Sequence, residues 1–354
     1  MHFNKIATHH RTDSDELAGI WIAARFGMDL LSQKFSVEFT DAGTRTPDGK
    51  PVETWMEKGF LPIGIWGSPF DEHRNGSRPR RHGECAATLM AKYLGVSEDL
   101  KLKPILKYIL DCDYGKRDYQ DDGLSVLVKK IHWLFPTQPL VVMDWFFQAM
   151  DVKYGDSAEP DNFSIEYIYK RMLSLGYSGA EKWYGLAQDA MEAQRIHFGI
   201  ITPAEFSKGE VLTVPGYNGK VNVSVVLSDD ELIWPYSKTK DGGRCGVLIQ
   251  KKSTGNVQIF SDWHVRQISL VNVAPIIRKL EMTACGRHSR NPHCLRWEGS
   301  SVYGAECWCF MHDIFLFNGS LTAPNVKPTK LSLEQIIDGV CEGLTVKKPQ
   351  KTAA

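Results

Sequence analysis

Long apolar runs are what the chain most plainly lacks. The longest, such as Pro139–Met143, fall far short of the ~20 residues that cross a bilayer, so no membrane partner is expected. Net charge is lacking too. Lys+Arg and Asp+Glu stand at 42 each, leaving no global basic field to attract a polyanion; one would have to be held by a local patch or by metal ions. The opening Met1-His2-Phe3-Asn4-Lys5-Ile6 has no charged segment followed by an apolar one, which argues against a secretory signal. Eight cysteines without such a signal point to free thiols in a reducing compartment, and a cytoplasmic location is expected. There is no Gly-rich loop of the nucleoside-triphosphate type and no Gly-x-Ser-x-Gly elbow, so kinase and serine-hydrolase readings have no support. Internal repeats and low-complexity blocks are also missing.

What is present is an alternation of short strands and helices. Lys5–Thr8 reads as a strand, and Glu16–Leu31 carries Leu17, Ile20, Trp21, Ala24, Met28 and Leu31 at helical spacing. Phe35–Thr40 alternates as a strand, Val52–Lys58 reads as helix, Leu61–Trp66 as extended chain and Glu84–Leu94 as helix. That order predicts an α/β fold with a parallel sheet, whose ligands bind at the carboxyl ends of its strands. Residues 100–198 read as a helical connector. After Phe198 the pattern changes to strands at Glu210–Pro215, Val221–Leu227, Gly246–Gln250 and Asn256–Phe260, with helices near Val273–Met282 and Leu331–Gly343. At 354 residues the chain has room for two domains. The predicted organisation is residues 1–200 as an α/β metal-binding domain with connector and 201–345 as a smaller α+β substrate-binding domain closing over a cleft. The boundary is placed near Gly199–Gly209, and a Lys/Pro-rich tail follows at 346–354.

The informative segment is Thr8-His9-His10-Arg11-Thr12-Asp13-Ser14-Asp15-Glu16. A histidine and two alternating aspartates lie between a strand end and a helix start. Hard cations such as Mn²⁺ and Mg²⁺ take carboxylate oxygens, and Mn²⁺ also takes imidazole. The competing reading is that Asp13 or Asp15 only caps the helix. A second segment, Phe70-Asp71-Glu72-His73, follows a buried-looking strand and precedes Glu84-Cys85-Ala86-Ala87-Thr88, which opens a helix.

On these two motifs the chain resembles the DHH phosphoesterase superfamily, and most closely its Myg-type branch. The resemblance implies a two-metal phosphoester-hydrolysing site. In it His9 and Asp13 bind one Mn²⁺ (or Mg²⁺) ion and Asp15 the other, with Asp15 also catalytic; Glu72 takes the place of a metal-binding histidine. The catalytic His73 contacts the phosphate, and Asp113 adds a later metal ligand, with Asp111 its neighbouring alternative. The departure from the pattern is at Gly64, where the family has an aspartate bridging both metals; Asp41 and Asp48 are substitutes that do not align naturally. The site is therefore expected to hold one ion or two.

Further substrate contacts are expected from His10, from the basic loop Arg74, Arg78, Arg80, Arg81 and His82, from Gly243 and Arg244 in Asp241-Gly242-Gly243-Arg244, and from Asn318. Each has a plainer alternative, a solvated loop for the first group and ordinary turns for the others. Cys285, His288, His293, Cys294, Cys307, Cys309 and His312 cluster, but not at zinc-knuckle spacing. Trp133, Trp145, Trp183, Trp234, Trp263, Trp297 and Trp308 read as core or domain-interface residues, with one or two able to stack on bases. The expectation is a divalent-metal-dependent phosphodiesterase, an exonuclease or oligonucleotidase on single-stranded RNA or DNA, with oligomerisation possible. The alternatives are a catalytically degraded relative that binds nucleotide or nucleic acid without cleavage, and an assembly protein.

Overall fold

In a computed structural model of the protein, residues 2–43, 46–72, 83–115, 122–217, 219–262, 268–288, 291–300 and 302–346 are described. The chain divides into two compact units, with the change between Arg195 and Ile196. That change falls inside a helix, because the chain stays helical from Ala180 through Gly199 to Phe206 instead of breaking into a linker. The fold is mixed α/β, with a three-stranded parallel sheet in the first unit and a separate mixed sheet in the second.

In the first unit, β1 (Phe3–His9), β2 (Leu31–Thr40) and β3 (Phe60–Pro62) run parallel in the order β2-β1-β3. β1 is central, and its Ile6, Ala7, Thr8 and His9 are buried. The first crossover leaves β1 to one side and the later one returns to its other side. β1 therefore sits at the switch point, where open parallel sheets bind ligands beyond their carboxyl ends. Helix α1 (Ser14–Phe26) is buried along its whole first ten residues, so it is a core helix and not an amphipathic surface one. Around it lie α2 (Val52–Glu57), α3 (Ala86–Tyr93), α4 (Lys103–Asp113), α5 (Leu124–Leu134), α6 (Pro139–Gly155), α7 (Ile165–Ser174) and the start of α8 (Ala180–Phe206). One apolar core unites Phe3, Ile20, Leu61, Met90, Ile109, Val128, Phe146, Ile168 and Trp183.

The expected strand Leu61–Trp66 stops at Pro62. Gly64, Trp66 and Gly67 all take left-handed backbone (φ 68°, 65° and 64°), which no strand tolerates. The loop closes on itself: the Gly64 N–H donates to Phe70 O (2.9 Å), Ser68 Oγ to Pro62 O (3.0 Å) and the Gly67 N–H to Asp71 Oδ2 (2.8 Å).

The second unit holds β4 (Glu210–Gly216), β5 (Gly219–Leu227), β6 (Val247–Lys251), β7 (Val257–Ser261), β8 (Trp308–Met311) and β9 (Phe315–Asn318) in the order β4-β5-β6-β7-β9-β8. Among these neighbours only β5 and β6 are parallel, joined by a crossover that contains the short helix α9 (Ile233–Ser237). Helices α10 (Val273–Ala284) and α11 (Leu333–Thr345) complete a core with Val223, Ile249, Ile259, Ile277, Trp308 and Val340. The β8–β9 hairpin was not expected from the sequence. Its turn carries His312 and Asp313 with φ of 54° and 61°, which places His312 in a tight turn.

Trp145 and Trp183 stack at 4.9 Å, and each indole N–H donates to the other's carbonyl (3.0 and 2.8 Å). Trp308 is also buried, Trp297 is exposed, and Trp263 lies outside the described residues. Trp183→Phe removes the indole N–H that bonds the Trp145 carbonyl, together with indole volume. We expect a loss of about 2 kcal/mol in denaturant unfolding, read as a lower midpoint at unchanged slope.

Candidate metal centre

β1 ends at His9, and four residues later the chain enters α1 with Asp13 as the N-cap. The capping expectation for Asp13 is met in full: the Asp15 N–H donates to Asp13 Oδ1 (2.8 Å), and the Asp13 N–H donates to Glu16 Oε2 (3.1 Å). Asp15 caps a different helix, 71 residues away. The N–H groups of Ala86 and Ala87, which open α3, donate to its Oδ2 (2.9 Å) and Oδ1 (3.0 Å). A carboxylate at that N-terminus satisfies two backbone donors that have no partner within the helix and lies at the positive end of the helix dipole.

These caps bring acidic groups together in a buried place. Ligand atoms of Asp13, Asp15 and Glu16 all lie within 4.8 Å of one another, and so do those of Asp15, Cys85 and Asp113. Asp15 belongs to both groups. His9 Nε2 stands 3.2 Å from Glu16 Oε1, and both side chains are buried. Glu72 is buried as well, and its charge acts on Glu16. Thus His9, Asp13, Asp15 and Asp113 come together, with Glu72 within electrostatic reach. Asp111 is turned to Lys107 (2.9 Å), which leaves Asp113 as the residue of that pair at the centre.

The electrostatics follow from burial and mutual repulsion. Desolvation, the charges of Asp13, Asp15 and Glu72, and a hydrogen bond to Asp13 hold the Glu16 carboxyl well above its ordinary range. Asp15 is raised by desolvation and by Asp13, against the opposing effect of the Cys85 thiol and the α3 N–H groups. Burial works against ionisation of Asp13, but the Glu16 hydrogen bond, His9, Lys129 and the Asp15 N–H bring it down to about 2. The same contacts favour the ionised form of Asp13 and disfavour that of Glu16. Burial and Asp15 together push the Cys85 thiol up, so it is a thiol and not a thiolate.

His132, on α5, went unnoticed in the sequence. Its Nε2 lies 2.9 Å from the Thr12 carbonyl and ties down the loop between His9 and Asp13. Nothing in the local pattern of α5 signals that tie, since it spans 120 residues. Glu16 and Cys85 were also passed over. Asp13-x-x-Glu16 is a legible capping box, and that structural role conceals any second one.

The other expected contacts fall elsewhere. His10 faces Asp41 (Nε2 to Oδ1, 3.6 Å). Asp48 organises its own turn, accepting from Trp55 Nε1 (2.9 Å) and the Lys50 N–H (3.2 Å), and the indole hydrogen bond lowers its carboxyl to about 2. It does not replace a ligand at 64. His73, Arg74, Arg78, Arg80, Arg81 and His82 lie outside the described residues. In the second unit, Gly243 (φ 76°) and Arg244 (φ 51°) form the turn after α9, with their N–H groups donating to Lys240 O (3.1 Å) and Thr239 O (3.0 Å). Those amides are committed to the turn, while the Arg244 side chain is exposed. Asn318 is fully buried; its amide donates to Cys307 O (3.1 Å) and Lys327 O (3.0 Å), and its oxygen accepts from the Thr329 N–H (2.8 Å). It ties the fold together and leaves no group facing a substrate. Among the described residues, the metal-compatible groups are the two acidic ones around Asp15, and neither draws on the cysteine–histidine set of the second unit.

Burial lowers the pKa of His132 from 6.5 to about 4. The folded state thus binds its proton more weakly than the unfolded chain. Its stabilising contribution is complete above pH 6.5 and is lost as the pH falls from there toward 4. In chelator-treated protein, the stability advantage of the wild type over His132→Phe should shrink by ~3 kcal/mol across that window. An advantage independent of pH in denaturant unfolding would contradict a buried neutral imidazole.

Comparison with known proteins adds little. No family model matches the chain, and no curated protein matches it. A crystal structure described as an uncharacterized protein from Helicobacter pylori G27 aligns over 97% of this chain and 99% of its own, at 9% identity and a TM-score of 0.31.

Proposed function

We propose that the protein is a divalent-metal-dependent phosphodiesterase of the DHH kind, acting on single-stranded RNA or DNA or on short oligonucleotides. One observation carries the reading: His9, Asp13 and Asp15, at the junction of β1 and α1, come together with Asp113, about a hundred residues later in the chain, around the buried Asp15 carboxylate at the carboxyl end of a parallel strand. The donor set fits a hard cation. It offers carboxylate oxygens and one imidazole, and its mutual repulsion is opposed by His9, Lys129, backbone N–H groups and hydrogen bonds from Glu16 and the Cys85 thiol. Nuclease specificity rests on the motif resemblance, since one such site can serve several phosphoesters.

A bound Mn²⁺ or Mg²⁺ ion would lower the pKa of a water molecule and polarise the phosphoryl group. The protein's own part is to hold that ligand set in place. The caps on α1 and α3 fix Asp13 and Asp15, and His132 fixes the loop that carries them. Lys129 supplies positive charge next to Asp13. In this reading His73 and the arginines that follow it grip the phosphate.

A second reading has an observation in its favour. Both oxygens of Asp15 accept backbone N–H groups, as a purely structural cap would. A protein that binds nucleotide without cleaving it fits that arrangement.

The test incubates purified protein and Mn²⁺ with labelled short RNA and DNA, a cyclic dinucleotide and pyrophosphate. Asp13→Asn and Asp113→Asn serve as controls. Asparagine caps a helix as well as aspartate does, so the first removes charge and spares the fold. We expect Mn²⁺-dependent turnover, reduced ~100-fold or more in both variants. Turnover that persists in both, or that ignores chelator, contradicts the proposal; tight binding without turnover supports the second reading.

A further inference from the structure

Glu16 has a place in the centre that its role in the capping box does not account for. Its Oε2 accepts the Asp13 N–H (3.1 Å), which completes the box, while its Oε1 stands 3.2 Å from His9 Nε2. An oxygen of its carboxylate is also within 4.8 Å of oxygens from Asp13 and Asp15. Metal–oxygen bonds of ~2.0–2.2 Å place ligands of one ion within about 4.4 Å of one another, so a small closure gathers all three.

The space for Glu16 is cleared from the opposite side. Gly64 follows β3 with φ of 68°, and a Cβ placed on it would lie 2.3 Å from Glu16 Cγ and 2.7 Å from Glu16 Oε1. No side chain fits at 64 while Glu16 stays where it is. With Glu16 in this position, the carboxylate at this place comes from α1, and Gly64 contributes no side chain.

We propose that Glu16 is a ligand of the divalent cation, filling from the helix side the place that a side chain at 64 would fill from the strand side. The proposal rests on the metal-dependent reading of the centre and adds one residue to it. It also reverses the simplest expectation for Gly64→Asp. An added aspartate does not complete the centre; it collides with the ligand already there.

The test is a Mn²⁺ titration of the full-length protein, with free Mn²⁺ read by electron paramagnetic resonance and melting followed with chelator and with Mn²⁺. Glu16→Gln keeps the capping box, because glutamine accepts the same N–H, and removes only the anionic oxygen. We expect Glu16→Gln to melt no lower than wild type in chelator but to bind Mn²⁺ at least ~tenfold more weakly and to lose the Mn²⁺-induced rise in melting temperature. Gly64→Asp alone should also weaken binding. Glu16→Ala/Gly64→Asp should bind at least ~tenfold more tightly than Glu16→Ala, since aspartate is among the residues that tolerate left-handed backbone. Wild-type affinity in Glu16→Gln overturns this proposal and leaves the metal centre standing. Failure of the wild type to bind Mn²⁺ at all overturns both.

Discussion

Like charges buried around one helix terminus repel one another, and much of the first unit is arranged to offset that repulsion. Asp13, Asp15 and Glu16 occupy the cap and first turn of α1, with Glu72 acting on Glu16 from another segment. Burial of an unpaired carboxylate is costly, and burial of several together compounds the cost. The fold offsets it with backbone N–H groups from two helices, an imidazole at 3.2 Å from Glu16 and the charge of Lys129. All of these are donors or cationic groups. A dipositive ion would satisfy several acids at once.

The caps have a second consequence. Asp15 joins the start of α1 to the start of α3, and His132 joins α5 to the loop before α1. The proposed ligands are therefore held by the same contacts that assemble the helices around β1. In the proposed reading structural and chemical roles coincide in these side chains, so truncating Asp15 would disturb α3 as well as any bound ion. Substitutions that preserve hydrogen-bonding shape while removing charge separate the two roles.

Much of this was legible in the sequence. Period-2 and helical spacing placed β1, α5, four of the six strands of the second unit and the body of α1, although the helix expected to run to Leu31 ends at Phe26 and Leu31 opens β2; the strand-to-helix setting of Asp13 and Asp15 identified both a cap and a ligand reading. What was not legible depends on tertiary contacts or unusual backbone. Leu61–Trp66 looks extended because Ile63, Ile65 and Trp66 are apolar, yet the left-handed residues at 64, 66 and 67 turn it into a loop. The β8–β9 hairpin was hidden by short strands, one of which carries a tryptophan, a cysteine and a methionine. Asn318, in an Asn-Gly-Ser sequence typical of an exposed turn, is buried because Asn256, Cys307, Lys327 and Thr329 all reach it. The role of Glu16 depends on Gly64, 48 positions later, which no local pattern reveals.

The most direct test of a cation held by these converging acids is X-ray diffraction from Mn²⁺-soaked crystals, with data collected at the manganese absorption edge. The account predicts an anomalous peak within coordination distance of Asp13, Asp15 and Glu16. A peak confined to surface carboxylates, or none while all three side chains are ordered, would contradict it.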